Sequence, residues 1–438
     1  MVLGIELFRT EEGRQILKKS QKKRFLSIEI IDEIMNIDKK LREIRYQDMT
    51  IRTEIKKNQK EMSQKKIQQK TDILIDTTDL LNYKIKLDLQ LEALLLIESN
   101  LENELNDKIS QVGNIIDDTV PVSNDEGNNV IIKKYDDTSI PKENLLPHNI
   151  LLEKIGGYDQ KRGAKVVGHR GYFLTNIGVQ LNMALQQYAI NFLLNKGYNL
   201  LQPPYLMNDS IMQKTAELAD YKDTLYRISG SNDESEIKEK EDKYLIATSE
   251  QPICAYHAGE TISRKELPLK YGGISTCFRK EAGAHGKDVN GIFRIHQFEK
   301  IEQFVICEPE NSFKMQNEMI TISEEFYQSL GLSYRIIMIV SGALNLAAAK
   351  KYDLEAWFPS FNDYKELVSC SNCTDYQSRN LNIKIEKGVY PHMLNSTLCA
   401  TERTICAILE NYQTPEGIVV PSVLRKYLND LQLIPYIK

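Results

Sequence analysis

No apolar run in this 438-residue chain approaches the roughly 20 residues that a bilayer span needs, which excludes a membrane-spanning helix. No secretory leader is expected either: Val2 to Ile5 is cut short by Glu6, and Glu11 and Glu12 speak against a mitochondrial presequence. Seven cysteines, odd in number and scattered, give no disulfide framework, so reduced thiols and a cytoplasmic location are expected. Cys370 and Cys373 form a single CxxC with no second pair and no nearby histidine pair. The set of four zinc ligands is therefore incomplete, and packing is the favoured role. Two nucleotide signatures are absent as well. The run Lys60 to Lys65 has no Rossmann pattern around it, and Gly283 to Lys287 lacks the spacing and hydroxyl of a P-loop. Charge of one sign is not in large excess either, because the net charge is only −5.

What is present is most informative from Ser275 to Phe304, STCFRKEAGAHGKDVNGIFRIHQFEKIEQF. Two arms rich in β-branched and aromatic residues, Gly273 to Glu281 and Ile292 to Gln303, flank a loop with three glycines, which predicts an antiparallel hairpin. Residues two apart on a strand share a face. Arg294, Phe298 and Glu302 then share one face of the second arm, and Arg279 and Glu281 share one of the first. A cation for phosphate, a ring for a base and a carboxylate for an ammonium or hydroxyl could all point one way.

Two further segments converge on that chemistry. In Tyr390 to Tyr412 a short strand carrying Asn395 and Thr397 on one side runs into a helix with Thr401 as N-cap and Ile405, Ile408 and Leu409 as its apolar stripe. Arg403 falls in the first helical turn, where the dipole disfavours a cation unless an anion lies close. In Ala247 to Pro252, ATSEQP, Thr248 and Glu250 are placed to offer a hydroxyl and a carboxylate together.

The N-terminal third has a different physics. Ile34, Ile37, Leu41, Ile44, Ile51, Ile55 and Met62 alternate three and four apart, with Asp48 and Asn58 as polar breaks. Leu87, Leu91, Leu94, Leu101, Leu105 and Val112 repeat the pattern. Two helices of about 40 residues, joined near Lys65 to Asp72, read as an antiparallel coiled-coil hairpin about 60 Å long. From Lys39 to Lys70 there are eleven Lys or Arg against four acids. Arg45, Arg52, Lys56, Lys57 and Lys60 are the candidate contacts to a nucleic-acid backbone.

Taken together, these segments resemble the class II aminoacyl-tRNA synthetases, and among them the seryl-tRNA synthetases of the eukaryotic cytosolic type. The likeness covers almost the whole chain. CFRKEAGAHGKDVNGIFRIHQFEKIEQF is similar to the second motif of that class, MLNSTLCATERTICAILENY to the third, and GYNLLQPPYLM (Gly197 to Met207) to the first. ATSEQP matches its threonine-x-glutamate loop. YKELVSCSNCTDYQSR and DLEAWFPSFNDY add to the resemblance.

The resemblance implies an α+β fold: an antiparallel-sheet catalytic core with helices, preceded by a long helical hairpin. It implies domains at 1–118 for tRNA binding, 119–145 as linker and 146–438 as catalytic core. For ATP it implies Arg279 on the α-phosphate and the serine carboxylate, and Glu281 on the adenine side. Phe298 and Arg403 would sandwich the adenine, and Arg294 and Arg403 would hold the γ-phosphate. Glu366 and Ser369 would ligate Mg²⁺; being three apart on a strand, they require a bulge or strand end to face the same way. For serine it implies Thr248 and Glu250 on the ammonium, Glu302 and Thr397 on the hydroxyl, and Asn395 in support.

The reaction implied is seryl-adenylate formation from serine and ATP, then transfer to the 3′ end of tRNA(Ser), with tRNA(Sec) as an additional acceptor. The arm implied is one that grips RNA by shape and backbone. A homodimer is implied through the first motif and the helix before it, Tyr172 to Asn195, though a buried helix fits that sequence equally well. Val120 to Glu143 reads as a linker and Ser229 to Lys243 as an acidic insertion between strands. Two rival readings remain: a paralogue that activates an acid without charging tRNA, and a coiled-coil scaffold. The scaffold leaves the chemistry-bearing residues from 248 to 403 without a purpose.

Overall fold

The computed structural model describes residues 2–68, 76–136, 145–215, 224–229, 241–281 and 290–437. Residues 69–72 of the expected interhelical turn, residues 282–289 of the hairpin's glycine loop, residues 230–240 of the acidic insertion and the end of the expected linker lie outside the described residues. The chain divides into two compact units, Leu3–Lys22 with Leu26–Val112, and Gly113–Lys438 with Lys23–Phe25.

The first unit is dominated by α1 (Glu29–Gln68) and α2 (Thr78–Ser110), packed along each other. At 1.5 Å per residue, the 40 residues of α1 span about 60 Å. From Ile34 onward the seam follows the heptad reading: Ile34, Ile37, Leu41 and Leu87 are buried, Ile44, Ile51, Ile55 and Met62 half-buried, and the residues between them mostly exposed. Asn58 sits in that seam at 4 % exposure. Arg45 crosses to Glu98 and Glu102 on α2, and the Tyr83 hydroxyl donates to Glu54 (2.9 Å).

In the second unit an eight-stranded sheet carries the site. Its strands are β1 (Val130–Tyr135), β2 (Asn199–Leu201), β3 (Leu269–Phe278), β4 (Gln297–Cys307), β5 (Tyr334–Met338), β6 (Lys350–Phe358), β7 (Asp363–Asn372) and β8 (His392–Ala400), ordered β1-β5-β6-β7-β8-β4-β3-β2. All neighbours are antiparallel except β2, which runs parallel to β3. Period-two alternation separates the two faces of β4. Ile301, Gln303 and Val305 turn toward a helical layer, where Gln303 donates to Met319 and Ser323 of helix Ser312–Ser329 (3.1 and 3.0 Å). Phe298, Lys300 and Glu302 turn the other way and line a cavity. That division puts polar chemistry on a rigid floor.

Local expectations are adjusted at several points. The expected strand Gly197 to Met207 is broken by Pro203 and Pro204 into β2, at the sheet edge, and Leu206–Asn208, which joins a separate three-stranded sheet. The helix expected from Tyr172 starts at Ile177, because Phe173–Leu174 pairs with Tyr158–Asp159. Thr401 is the first residue of helix Thr401–Asn411 and not its cap; the cap position is Ala400, and the Thr401 hydroxyl turns to the Glu299 carbonyl and the Glu402 carboxylate. Within the stretch read as a linker, Val130–Tyr135 pairs with Tyr334–Met338, a use its β-branched run allows.

Candidate active site

A cavity of about 350 Å³ opens on the face of β4, and every residue expected for ATP or serine lines it. Two backbone devices bring them there. Gly273 pairs with Glu302 across β3 and β4, and a Cβ at Gly273 would stand 2.4 Å from Ser249 Oγ. Only glycine lets the Thr248–Glu250 turn press this close to the strand. The second device is a bulge: Leu354 pairs with Val368 but Glu355 with Glu366, so Leu367 is extra and Glu366 and Ser369 both line the cavity.

At one end, two carboxylates are fixed side by side. Glu302 Oε1 accepts from Thr397 Oγ1 (3.0 Å) and Thr248 Oγ1 (3.4 Å) and forms an ion pair with Lys300. Glu250 Oε1 accepts from Asn395 Nδ2 (2.8 Å) and Gln377 Nε2 (3.1 Å). Burial, and then the neighbouring charge of Glu302, push the Glu250 carboxyl up to about 7. Acidic groups and hydroxyls at this spacing suit a small zwitterion that carries its own hydroxyl.

At the other end, guanidinium groups lie over rings. Arg279 stands over Phe298, 5.2 Å from the ring centroid, with its Nε on the Ala247 carbonyl. Arg403 stands over Phe293, 4.9 Å from the centroid, with Nε on the Phe293 carbonyl and Nη1 on the Glu366 carbonyl (3.3 and 3.0 Å). Arg403 thus rests over Phe293, while the expected sandwich of adenine between Phe298 and Arg403 concerns the nucleotide-bound state. The Glu366 carboxylate, 3.9 Å from Arg403, is the nearby anion that a cation in a first helical turn requires. Burial pushes the Glu366 carboxyl up, but Lys351, Arg403 and Arg279 more than offset it, and the net shift is downward.

Glu281 and Arg294 reach the cavity differently from the strand reading. The ladder ends at Phe278 and Gln297, so alternation does not orient either residue. Glu281 has φ of 50°, a left-handed conformation uncommon outside glycine, and is held by Arg294 Nε on its carboxylate (2.6 Å) and Arg170 Nη1 on its carbonyl (2.9 Å).

Sequence reasoning missed Lys300, Lys351, Phe293, Glu402 and Arg170. Lys300 was within reach, since it lies two before Glu302 on the same strand face. Lys351 stands in the same relation to Asp353, to which its Nζ is 3.3 Å. Asp353 Oδ1 is buried without a hydrogen-bond partner among the described residues. Together with Glu366 and Ser369 this is a set of hard oxygen donors, which fits Mg²⁺ and not a soft metal. The two cysteines of the CxxC are buried: Cys370 Sγ lies on the Gln316 carbonyl (3.7 Å) and Cys373 Sγ accepts from Asn395 Nδ2 (3.7 Å).

On the arm, the five cationic candidates divide. Arg45 is engaged by Glu98 and Glu102, and Arg52 by Asp48 (2.8 Å). Lys56, Lys57 and Lys60 are exposed on α1.

The chain is similar to known proteins along its whole length. Residues 226–412 match the family model described as the tRNA synthetase class II core domain (G, H, P, S and T). The cytoplasmic serine–tRNA ligase of Dictyostelium discoideum is 49 % identical, over 100 % of this chain and 96 % of that protein. That of Schizosaccharomyces pombe is 47 % identical, over 100 % and 97 %. The crystal structure of the Naegleria fowleri cytoplasmic serine–tRNA ligase in complex with AMP superposes with a TM-score of 0.86 at 42 % identity, covering 100 % of this chain and 99 % of that one. The Pyrococcus horikoshii seryl-tRNA synthetase complexed with ATP gives 0.87 at 36 %, covering all of both chains.

Proposed function

Because the chain belongs to the seryl-tRNA synthetase family, of the cytoplasmic type, we infer that it is a serine–tRNA ligase, which activates L-serine with ATP and esterifies tRNA(Ser) with it. The observation that carries the inference is one cavity with a hydroxyl-accepting, ammonium-accepting end (Glu302, Thr397, Thr248, Glu250) and an arginine–aromatic end (Arg279, Phe298, Arg403). Among the described residues, no helix is long and apolar enough to cross a membrane.

In the first step, an oxygen of the serine carboxylate bonds to the α-phosphorus and the bond to the bridging oxygen breaks, releasing pyrophosphate. The attacking group belongs to the substrate, so the protein's task is placement and fixed charge. Glu250 and Thr248 hold the ammonium, and Glu302 and Thr397 the side-chain hydroxyl, with Asn395 steadying Glu250. Arg279, at the arginine–aromatic end with its Nε on the Ala247 carbonyl, balances charge on the carboxylate and α-phosphate. Phe298 and Arg403 sandwich adenine with Glu281 at its edge, and Arg294 and Arg403 take the γ-phosphate. Glu366 and Ser369 would hold Mg²⁺, which when bound neutralises phosphate charge. In the second step the 3′-hydroxyl of the terminal ribose attacks the seryl carbonyl and AMP leaves.

The proposal includes the domain division at 1–118, 119–145 and 146–438, with the arm as the tRNA-binding part through Lys56, Lys57 and Lys60 first, and Arg45 and Arg52 once their acidic partners are displaced. It also includes a homodimer, supported by apolar side chains exposed on helix Ile177–Asn195 at Val179, Met183 and Leu194. Acceptance of tRNA(Sec) is a lesser option.

The test is serine-dependent ATP–pyrophosphate exchange, repeated with threonine and alanine and followed by charging of tRNA(Ser). A site built to bond a hydroxyl rejects alanine by about 10⁴ to 10⁵, whereas the extra methyl of threonine is resisted only about 10- to 200-fold. Threonine is therefore the expected competitor. Exchange with serine but no charging would favour the paralogue reading, and exchange with neither would sink the assignment.

A further inference from the structure

Behind the wall that carries Arg403 lies a buried histidine that the reaction does not use. His148, 1 % exposed, opens the short helix His148–Lys154, and its Nδ1 is 2.8 Å from Glu410 Oε1. Glu410 is fully buried, and donors converge on it from four sites: His148 Nδ1, the His148 amide (3.1 Å), the Ser360 hydroxyl (2.7 Å) and the Ser360 amide (3.0 Å). A carboxyl group so surrounded acts as an acceptor. On the other side of the ring, Nε2 is 3.2 Å from the Asn290 carbonyl, which can only accept. Both ring nitrogens therefore donate, and the ring is an imidazolium. Burial alone would lower its pKa, but Cys406, by charge first and then by hydrogen bond, and after it Glu410 raise it well above the usual value.

The cation bears on the nucleotide end of the cavity by two routes. It bonds Asn290 directly and packs against Gly291, where φ is 63° and an added Cβ would come within 2.9 Å of His148 Cδ2. Its ring also lies 6.1 Å from those of Phe293 and Phe361, and Phe293 is the ring under the Arg403 guanidinium and the carbonyl that Arg403 Nε bonds. Arg294 follows immediately in the chain.

We propose that His148 is a positioning residue for adenylate formation: clamped by Glu410, it fixes the Asn290–Arg294 backbone and, through Phe293, the guanidinium of Arg403. It touches neither substrate. The inference rests on the reading of this cavity as an ATP site, so the parent protein is assayed beside each variant.

In pyrophosphate exchange, His148→Ala should raise KM for ATP on the order of tenfold while KM for serine stays within about twofold, since the serine end is built on other residues. His148→Gln keeps one donor toward Asn290 and should recover part of the loss. Gly291→Ala leaves the histidine intact but drives its Cβ into the ring, and should show the same ATP-selective signature; it carries the test if His148→Ala does not fold. ATP and serine KM rising by equal factors, neither changing, or the Gln variant faring no better than Ala would overturn the proposal. A parent without serine-dependent exchange would instead overturn the functional reading.

Discussion

Glu250 and Glu302 share one end of the cavity but not one environment, and the difference has a pH consequence. Lys300 and two hydroxyls compensate Glu302, whereas Glu250 is met by two neutral amides and is pushed up to about 7. Below that pH the free protein holds Glu250 protonated, and a protonated carboxyl is a poor partner for the serine ammonium. The expected outcome is kcat/KM for serine climbing about tenfold per pH unit below 7 and levelling above it, since this parameter reports the free enzyme. Glu250→Gln should lose that limb. A profile flat between pH 6 and 8 in the parent would contradict the assignment. Arg279 is a different kind of residue, a charge aimed at the transition state. Arg279→Ala should lower adenylate formation by about 10²-fold or more, and exchange within tenfold of the parent would exclude the role.

At the scale of elements, the legible parts were those governed by period. The heptad seam was readable because a buried helix face repeats every three or four residues whatever lies beyond it. That Phe298 and Glu302 share a face was readable because a strand alternates. Where the backbone leaves regular structure the reading stops. Arg294 and the φ of 50° at Glu281 lie beyond the ladder, the cap falls at Ala400 and not Thr401, and residues 130–135 become a strand only because Tyr334–Met338 offers an edge. His148 has no local signature at all; its role depends on Glu410, 262 residues away. The seam itself makes a quantitative prediction. Leu41 is 2 % exposed and Leu96 is 65 % exposed. Leu41→Ala should cost about 2 to 5 kcal/mol and lower the helical melting transition, while Leu96→Ala should stay within about 0.5 kcal/mol. Equal effects in circular-dichroism melts would mean that the seam is misassigned.

For the molecule as a whole, what distinguishes the two units is where charge is placed. The chain is slightly acidic, yet Lys39 to Lys70 holds eleven cations against four acids, and Thr78–Ser110 holds seven acids against three lysines. A cationic strip on a net-negative protein attracts a phosphate backbone locally without making every surface adhesive to polyanions. The cavity, by contrast, is lined only by residues of the second unit, from Thr248 to Arg403. If the arm binds tRNA as proposed, activation and RNA capture are separable. Deleting residues 36–110 should leave serine-dependent exchange within a few-fold of the parent and abolish charging of tRNA(Ser). Replacing Lys56, Lys57 and Lys60 with alanine should weaken tRNA binding and flatten its salt dependence, because each lost phosphate contact removes about 0.7 to 0.9 from the slope of log K against log salt. If the deletion abolished exchange and charging alike in a protein that still melts cooperatively, the arm would be part of the catalytic fold. RNA capture would then have to be sought on the second unit.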